Sequence, residues 1–194
     1  MIKGQGRCEL DSHADTTLAG SNMIFLDNLS QADKIDVYGF SDKLGPIRNI
    51  PIGTCATAYD CPTTGQLYLL LFGQCLYFGN DVPSSLLCPN QLRAFGTRVE
   101  DCPTMYESTS KHGLTFNEPE TADSLFIPLQ LDGTISFMPT RKPSQREMDS
   151  NDTLYYWATS EEIWDPKSDS FAEEERKAKI IHDTEIHQKP QIRN

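Results

Sequence analysis

The sequence predicts a mainly β domain with one short helix, followed by a charged tail that is partly helical or disordered. Three observations carry this reading. Short extended stretches alternate with clusters of turn-forming residues through the first two thirds of the chain. A single segment, residues 89–96, has the punctuation of a helix. Charge density then rises: residues 1–140 carry 8 Lys and Arg with 16 Asp and Glu, against 9 and 12 in the last 54 residues, which leaves the tail little apolar surface with which to build a core. These features divide the chain into a domain over residues 1–143 and a charged tail over 144–194.

Taken in order, residues 35–38 (Ile-Asp-Val-Tyr) alternate apolar and polar side chains, the pattern of a half-buried strand. Turn formers fill residues 41–46, and a second extended stretch runs over 47–59 with Ile50, Ile52, Thr54 and Thr57. Residues 60–65 are another turn and 66–72 another strand, so these elements read as consecutive antiparallel hairpins. Pro89 suits a first helical position, Leu92 and Phe95 share a face, and Gly96 fits the stop. Asp132-Gly133 between the apolar runs 126–131 and 134–137 is a hairpin signal. In the tail, Ser170 and Glu173 have the spacing of a capping box, which predicts a helix through Ile181 supported by a Glu174–Lys177 contact.

Composition narrows the function classes. A formal net charge of -11 gives no electrostatic reason to bind nucleic acid or an anionic membrane. The longest apolar run, residues 67–72, is strand length and far short of the ~20 residues of a membrane span. The start of the chain lacks the apolar stretch of a signal peptide. Six cysteines without a Cys-x-x-Cys pair then read as reduced, mostly buried thiols in an intracellular, cytoplasmic protein.

The most informative stretch is Glu9-Leu10-Asp11-Ser12-His13-Ala14-Asp15-Thr16-Thr17, a polar cluster between apolar flanks. Ser12 and His13 are adjacent, so on an extended chain they face opposite ways and do not form a nucleophile–base pair. Asp11, His13 and Asp15 alternate and would share a face on a strand, where they could ligate a metal. A solvated turn, with Asp and Ser capping backbone amides, accounts for the same residues.

Leu10-Asp11-Ser12, followed by Ala14-Asp15-Thr16, resembles the active-site loop of retropepsin-like aspartic proteases, specifically the protease segment of copia-type retrotransposon polyproteins. The likeness continues in Ile52-Gly53-Thr54, in Leu76-Tyr77-Phe78, Val82-Pro83 and Ser85-Leu86-Leu87, then in Gln91-Leu92 and Gly96. It covers about residues 8–143 and implies a closed β fold, the acid protease lobe. His13 stands where the family usually has glycine, Leu86-Leu87-Cys88 where an apolar pair and glycine support the loop, and Pro89 where an arginine often begins the helix. Arg93, one turn on, is the nearby substitute as a partner for Asp15.

The resemblance implies a role for each part. Asp11 is the catalytic residue, and because there is one such motif, two copies of the chain must meet to make a site. Ser12 would bond across the dimer, Ala14, Asp15 and Thr16 would complete the loop, and Asp15 would help hold substrate backbone. The hairpin tip Ser41-Asp42-Lys43-Leu44-Gly45 would be a flap over an extended polypeptide. No metal or organic cofactor is implied, and the start of the chain just before the motif suggests a polyprotein fragment. A catalytically inactive domain that binds peptides or dimerises is the alternative.

Overall fold

Two long strands organise the fold. The computed structural model describes residues 6–39, 41, 43, 45–117 and 123–188, the side chains as far as 182. Strand β5 (Pro46–Asp60) turns at residues 61–66 into β6 (Leu67–Tyr77), with Ala58 opposite Leu69 and Tyr59 opposite Tyr68. The turn closes through Cys61 N–H to Gln66 O at 2.9 Å, and Gly65 takes a φ of 72° that a side chain would resist.

The strands on either side follow from these two. Before them come β1 (Arg7–Leu10), β2 (Leu18–Ala19), β3 (Ile24–Phe25) and β4 (Lys34–Tyr38). After them come β7 (Ser85–Leu87), helix α1 (Pro89–Ala94), β8 (Arg98–Glu100), β9 (Gly113–Asn117), β10 (Ser124–Pro128), β11 (Gln130–Asp132) and β12 (Ile135–Pro139). Helix α2 (Gln145–Met148), β13 (Leu154–Thr159) and helix α3 (Ser170–Gln188) complete the described chain. Ten strands form one sheet in the order β11-β12-β1-β7-β2-β6-β5-β3, with β13 also on β6 and β4 on β5; β10-β9-β8 form a second. The protein is mainly β, as the alternation of extended stretches with turn formers predicts. The expected closure is not observed: among the described residues the sheet does not close into a barrel.

Strand β6 changes partner midway, and a bulge is the reason. Gly53 faces Cys75 and Cys55 faces Phe72, so β6 carries one extra residue there, and Gln74 adopts φ 53°. Before the bulge, β6 pairs in parallel with β13; after it, Leu76 and Tyr77 pair in parallel with Leu18 and Ala19 of β2. The core gathers around this junction: Phe72, Leu70, Leu87, Leu92, Met138 and Phe116 are all fully buried, each worth ~1.5–3 kcal/mol on leaving water.

Several boundaries differ from the sequence expectation. The run 126–131 is two strands, because Leu129 N–H turns away to His112 O while β10 pairs with β9 and β11 pairs with β12. The first compact unit extends to Trp164, past the boundary expected at residue 143, because β13 joins the sheet and buries Ala158. The second unit, from Asp165, contains α3, which is 19 residues long and extends beyond Ile181. Its ion pairs join Glu173 to Lys177 and Glu175 to Lys179, four apart in each case, in place of a Glu174–Lys177 contact. The complete capping box belongs to α2, where Ser144 and Glu147 cap each other. No helix is long and apolar enough to cross a membrane, judged on the described residues.

Arg141 fastens the end of β5 to the start of the tail. Its backbone exchanges two 2.9 Å hydrogen bonds with Ala58. Its guanidinium holds Asp60 at 2.6 and 2.8 Å and Glu147 at 2.7 and 2.9 Å. Those bonds to Arg141, helped by the Ser144 N–H, hold the Glu147 carboxyl down to about 2. A depressed carboxyl contributes stability above its unfolded value of ~4.3, lost as pH falls through the folded value. Glu147→Gln should therefore lower stability at pH 6 and shrink the loss between pH 5 and 2, read by denaturant unfolding at each pH. An unchanged pH profile would contradict the assignment. In a second test, a chain ending at residue 164 should keep the unfolding midpoint of the whole compact unit. A chain ending at residue 148 strips the neighbour from the first half of β6 and should unfold at lower denaturant; equal midpoints would show that β13 contributes nothing.

Candidate active site

The Asp11 loop begins where a parallel pair of strands ends. Cys8, Glu9 and Leu10 of β1 lie beside Ser85, Leu86 and Leu87 of β7. The ladder's last bond runs from Asp11 N–H to Leu87 O at 3.0 Å, and the chain then turns, with Ala14 N–H returning to Asp11 O at 3.2 Å. The Asp11 carboxylate accepts the His13 N–H at 2.9 Å, an Asx-type turn that fixes its side chain. Its side chain stays 35% exposed, so the carboxylate is both held and reachable.

The remaining loop residues divide by exposure. Ser12, His13 and Asp15 are exposed and Ala14 is half-buried, while Thr16 and Thr17 turn into the core. The His13 imidazole is 97% exposed, and its Nδ1 lies 3.9 Å from Asp11 Oδ1, beyond hydrogen-bond reach. Asp11, His13 and Asp15 sit on a turn and not on a strand, so strand alternation does not align them. Among the described residues, no three His, Cys, Asp or Glu side chains form a metal-holding group.

What supports the loop from below is a buried amide that the sequence reading named only as part of a motif. Gln91, fully buried on α1, accepts the Thr17 N–H through Oε1 at 2.8 Å and donates through Nε2 to Gln74 O at 3.2 Å. One side chain thus joins the loop, the helix and the β6 bulge. Thr17 completes the connection: its hydroxyl accepts the Cys88 N–H at 3.2 Å, and its carbonyl accepts the Leu76 N–H at 2.9 Å.

Leu86, Leu87 and Cys88 do lie under the loop. Leu86 faces Glu9 on one side and Leu18 on the other, and Leu87 is fully buried. Cys88 is the N-cap of α1, its sulfur accepting the Gln91 N–H at 3.3 Å. Burial pushes the Cys88 thiol up, and the charges of Asp15 and Asp11 add to the effect, so the thiol stays neutral. A glycine here would lack that cap. Arg93 does not reach Asp15 and instead bonds Asp101 at 3.2 Å, alongside Asn90. Asp15 has a different partner: its carbonyl accepts the indole N–H of Trp164 at 2.8 Å, and that ring packs on Phe95.

The expected flap is a hairpin of β4 with the first part of β5. Ser41, Lys43 and Gly45 lie at its tip; Asp42 and Leu44 fall outside the described residues. Ile35 faces Ile50 and Val37 faces Ile47, while Asp36 bonds Arg48 and the Asn49 N–H. The hairpin is thus apolar on one face and charged on the other, with Ile35 and Ile47 exposed. A depression of about 120 Å³ lies at its end, lined by Tyr38, Gly39, Ser41, Gly45 and Pro46. A larger one of about 350 Å³ lies at its base, bordered by Asp27, Asp33, Gly53, Thr54, Gln74 and Glu161. Neither of these two takes in Asp11, whose side chain is partly exposed on its turn.

No protein-family model, curated protein or solved structure matches this chain. The support geometry makes a direct prediction. Gln91→Leu keeps the volume but strands the Thr17 N–H and the Gln74 carbonyl inside the core. It should cost roughly 2–4 kcal/mol in urea unfolding, whereas a loss below ~0.5 kcal/mol would mean that water replaces the amide.

Proposed function

We propose that the chain is a retropepsin-like aspartic endopeptidase that acts as a homodimer, with one Asp11 from each subunit, on a retrotransposon polyprotein. The observation that carries the reading is the setting of Asp11. It is a partly exposed carboxylate, fixed by its own turn at the end of the β1–β7 pair and braced from below by Gln91 and Cys88. An open turn with one carboxylate is half of a dyad, and a two-fold axis supplies the other half.

In the dimer, two Asp11 carboxyls about 3 Å apart share one proton. The ionised one takes a proton from water, which attacks the scissile carbonyl; the protonated one donates to the carbonyl oxygen. The exposed Ser12 hydroxyl bonds across the axis and keeps the two turns rigid. An extended peptide lies along the Asp15 side of the loop and under the β4–β5 hairpin, whose exposed Ile35 and Ile47 cover apolar side chains.

A second reading, a catalytically inactive peptide-binding or dimerisation domain, is favoured by His13. Its imidazole projects from the turn beside the carboxylate, at the position where the family's glycine leaves room for close approach.

Two variants separate the readings. Asp11→Asn should abolish cleavage of an unfolded protein substrate between pH ~4 and 7 while leaving the fold intact, because shape is kept and the shared proton is lost. Cleavage at the parent rate by Asp11→Asn would end the aspartic protease reading. His13→Gly should raise activity, or create it in an inactive parent, if the imidazole obstructs the site. Sedimentation at micromolar concentration should give about twice 21.8 kDa; a strict monomer would remove the shared site.

A further inference from the structure

The five residues after β13 run from β6 to the candidate site, and each end is anchored. At the first end, the Thr159 hydroxyl donates to Gly73 O at 2.8 Å. The Ser160 carbonyl lies so close to Gly73 that a Cβ there would stand 1.9 Å from its oxygen. In the middle, Glu161 Oε1 accepts the Thr54 hydroxyl at 3.2 Å, beside the larger depression. At the far end, Trp164 donates its indole N–H to Asp15 O and packs its ring on Phe95, with centroids 6.0 Å apart. Between the anchors, Ile163 is 89% exposed. The segment thus spans the bulge, the base of the hairpin and the outer part of the Asp11 loop without a core side chain of its own.

We infer that residues 160–164 are an autoinhibitory strap: Trp164 occupies the Asp15 side of the loop, along which an extended peptide must pass, and has to lift for a long peptide to bind. The inference rests on the peptidase reading, which places substrate backbone beside Asp15. The contact suits a release device. A hydrogen bond and a ring pair are among the contacts that hold the far end, and contacts of these kinds are individually modest enough for a peptide to compete with them. The first end is tied into the sheet, so the strap stays close when it lifts and its effective concentration remains high.

The test is binding by the full chain of a peptide in which a hydroxyethylene group replaces the scissile bond, so that turnover is not needed. Trp157→Phe leaves Trp164 as the one tryptophan, whose emission reports its environment. In that background, binding should shift emission to the red as the half-buried indole enters water. Trp164→Ala should bind the same peptide about tenfold more tightly, the equilibrium equivalent of the released contacts. Trp164→Phe keeps the ring on Phe95 but loses the N–H, guards against misfolding, and should fall between. Binding without an emission shift and with equal affinity in all variants would overturn the strap and leave the peptidase reading standing. Weaker binding by both Trp164 variants would overturn it in favour of Trp164 as a support of the loop. Binding by none of the proteins would contradict the peptidase reading and the strap together.

Discussion

The pairing of β1 with β7 holds the candidate site together, and it joins distant parts of the chain. Cys8 lies beside Ser85 and Leu10 beside Leu87, in parallel, so the ladder closes a loop that contains the whole β2–β6 region. Closing so long a loop costs entropy before any contact repays it. The buried network around the pair offsets that cost: the Asn22 amide donates to Thr140 Oγ1 at 2.8 Å and approaches the Cys8 sulfur, while its carbonyl accepts the Ser85 hydroxyl at 2.8 Å. The Asp11 turn sits at the end of this structure and inherits its rigidity. Such rigidity is what carboxylate catalysis demands, since a dyad tolerates little displacement.

A second constraint is the bulge at Gly73 and Gln74. It bends β6 so that one strand serves two neighbours, β13 before the bulge and β2 after it. It also exposes the Gln74 carbonyl to the Gln91 amide and brings Gly73 against Ser160. A non-glycine residue at φ 53° is strained by about 1 kcal/mol, and the contacts made on both sides of it offset that strain. Loop, helix and tail segment therefore meet at one irregularity in one strand.

Much of this was legible in the residues, and the rest was hidden for identifiable reasons. Pro89 and Gly96 bracket α1 because their backbone preferences are local, and Asp132-Gly133 makes the β11–β12 hairpin for the same reason. The Asp11 turn was legible as a polar cluster between apolar flanks. Strand β13 was not, although Leu-Tyr-Tyr-Trp is strand-forming, because it lies in a charge-rich stretch and its partner is more than eighty residues away. Gln91 was hidden because an amide on a short helix reads as surface; only its two backbone partners, from separate parts of the fold, bury it. Barrel closure was expected from resemblance alone, and no residue pattern encodes it.

A carboxylate shared between subunits has a consequence that a site complete within one chain lacks. In the proposed homodimer, wild-type protein mixed with Asp11→Asn chains and allowed to exchange subunits would form mixed dimers that carry a single ionisable Asp11. Peptidase activity should then fall as the square of the wild-type fraction, to roughly a quarter at equal amounts for a fixed total of protein. Activity that falls only in proportion to the wild-type fraction would show that each chain works alone, and would contradict the shared Asp11 site.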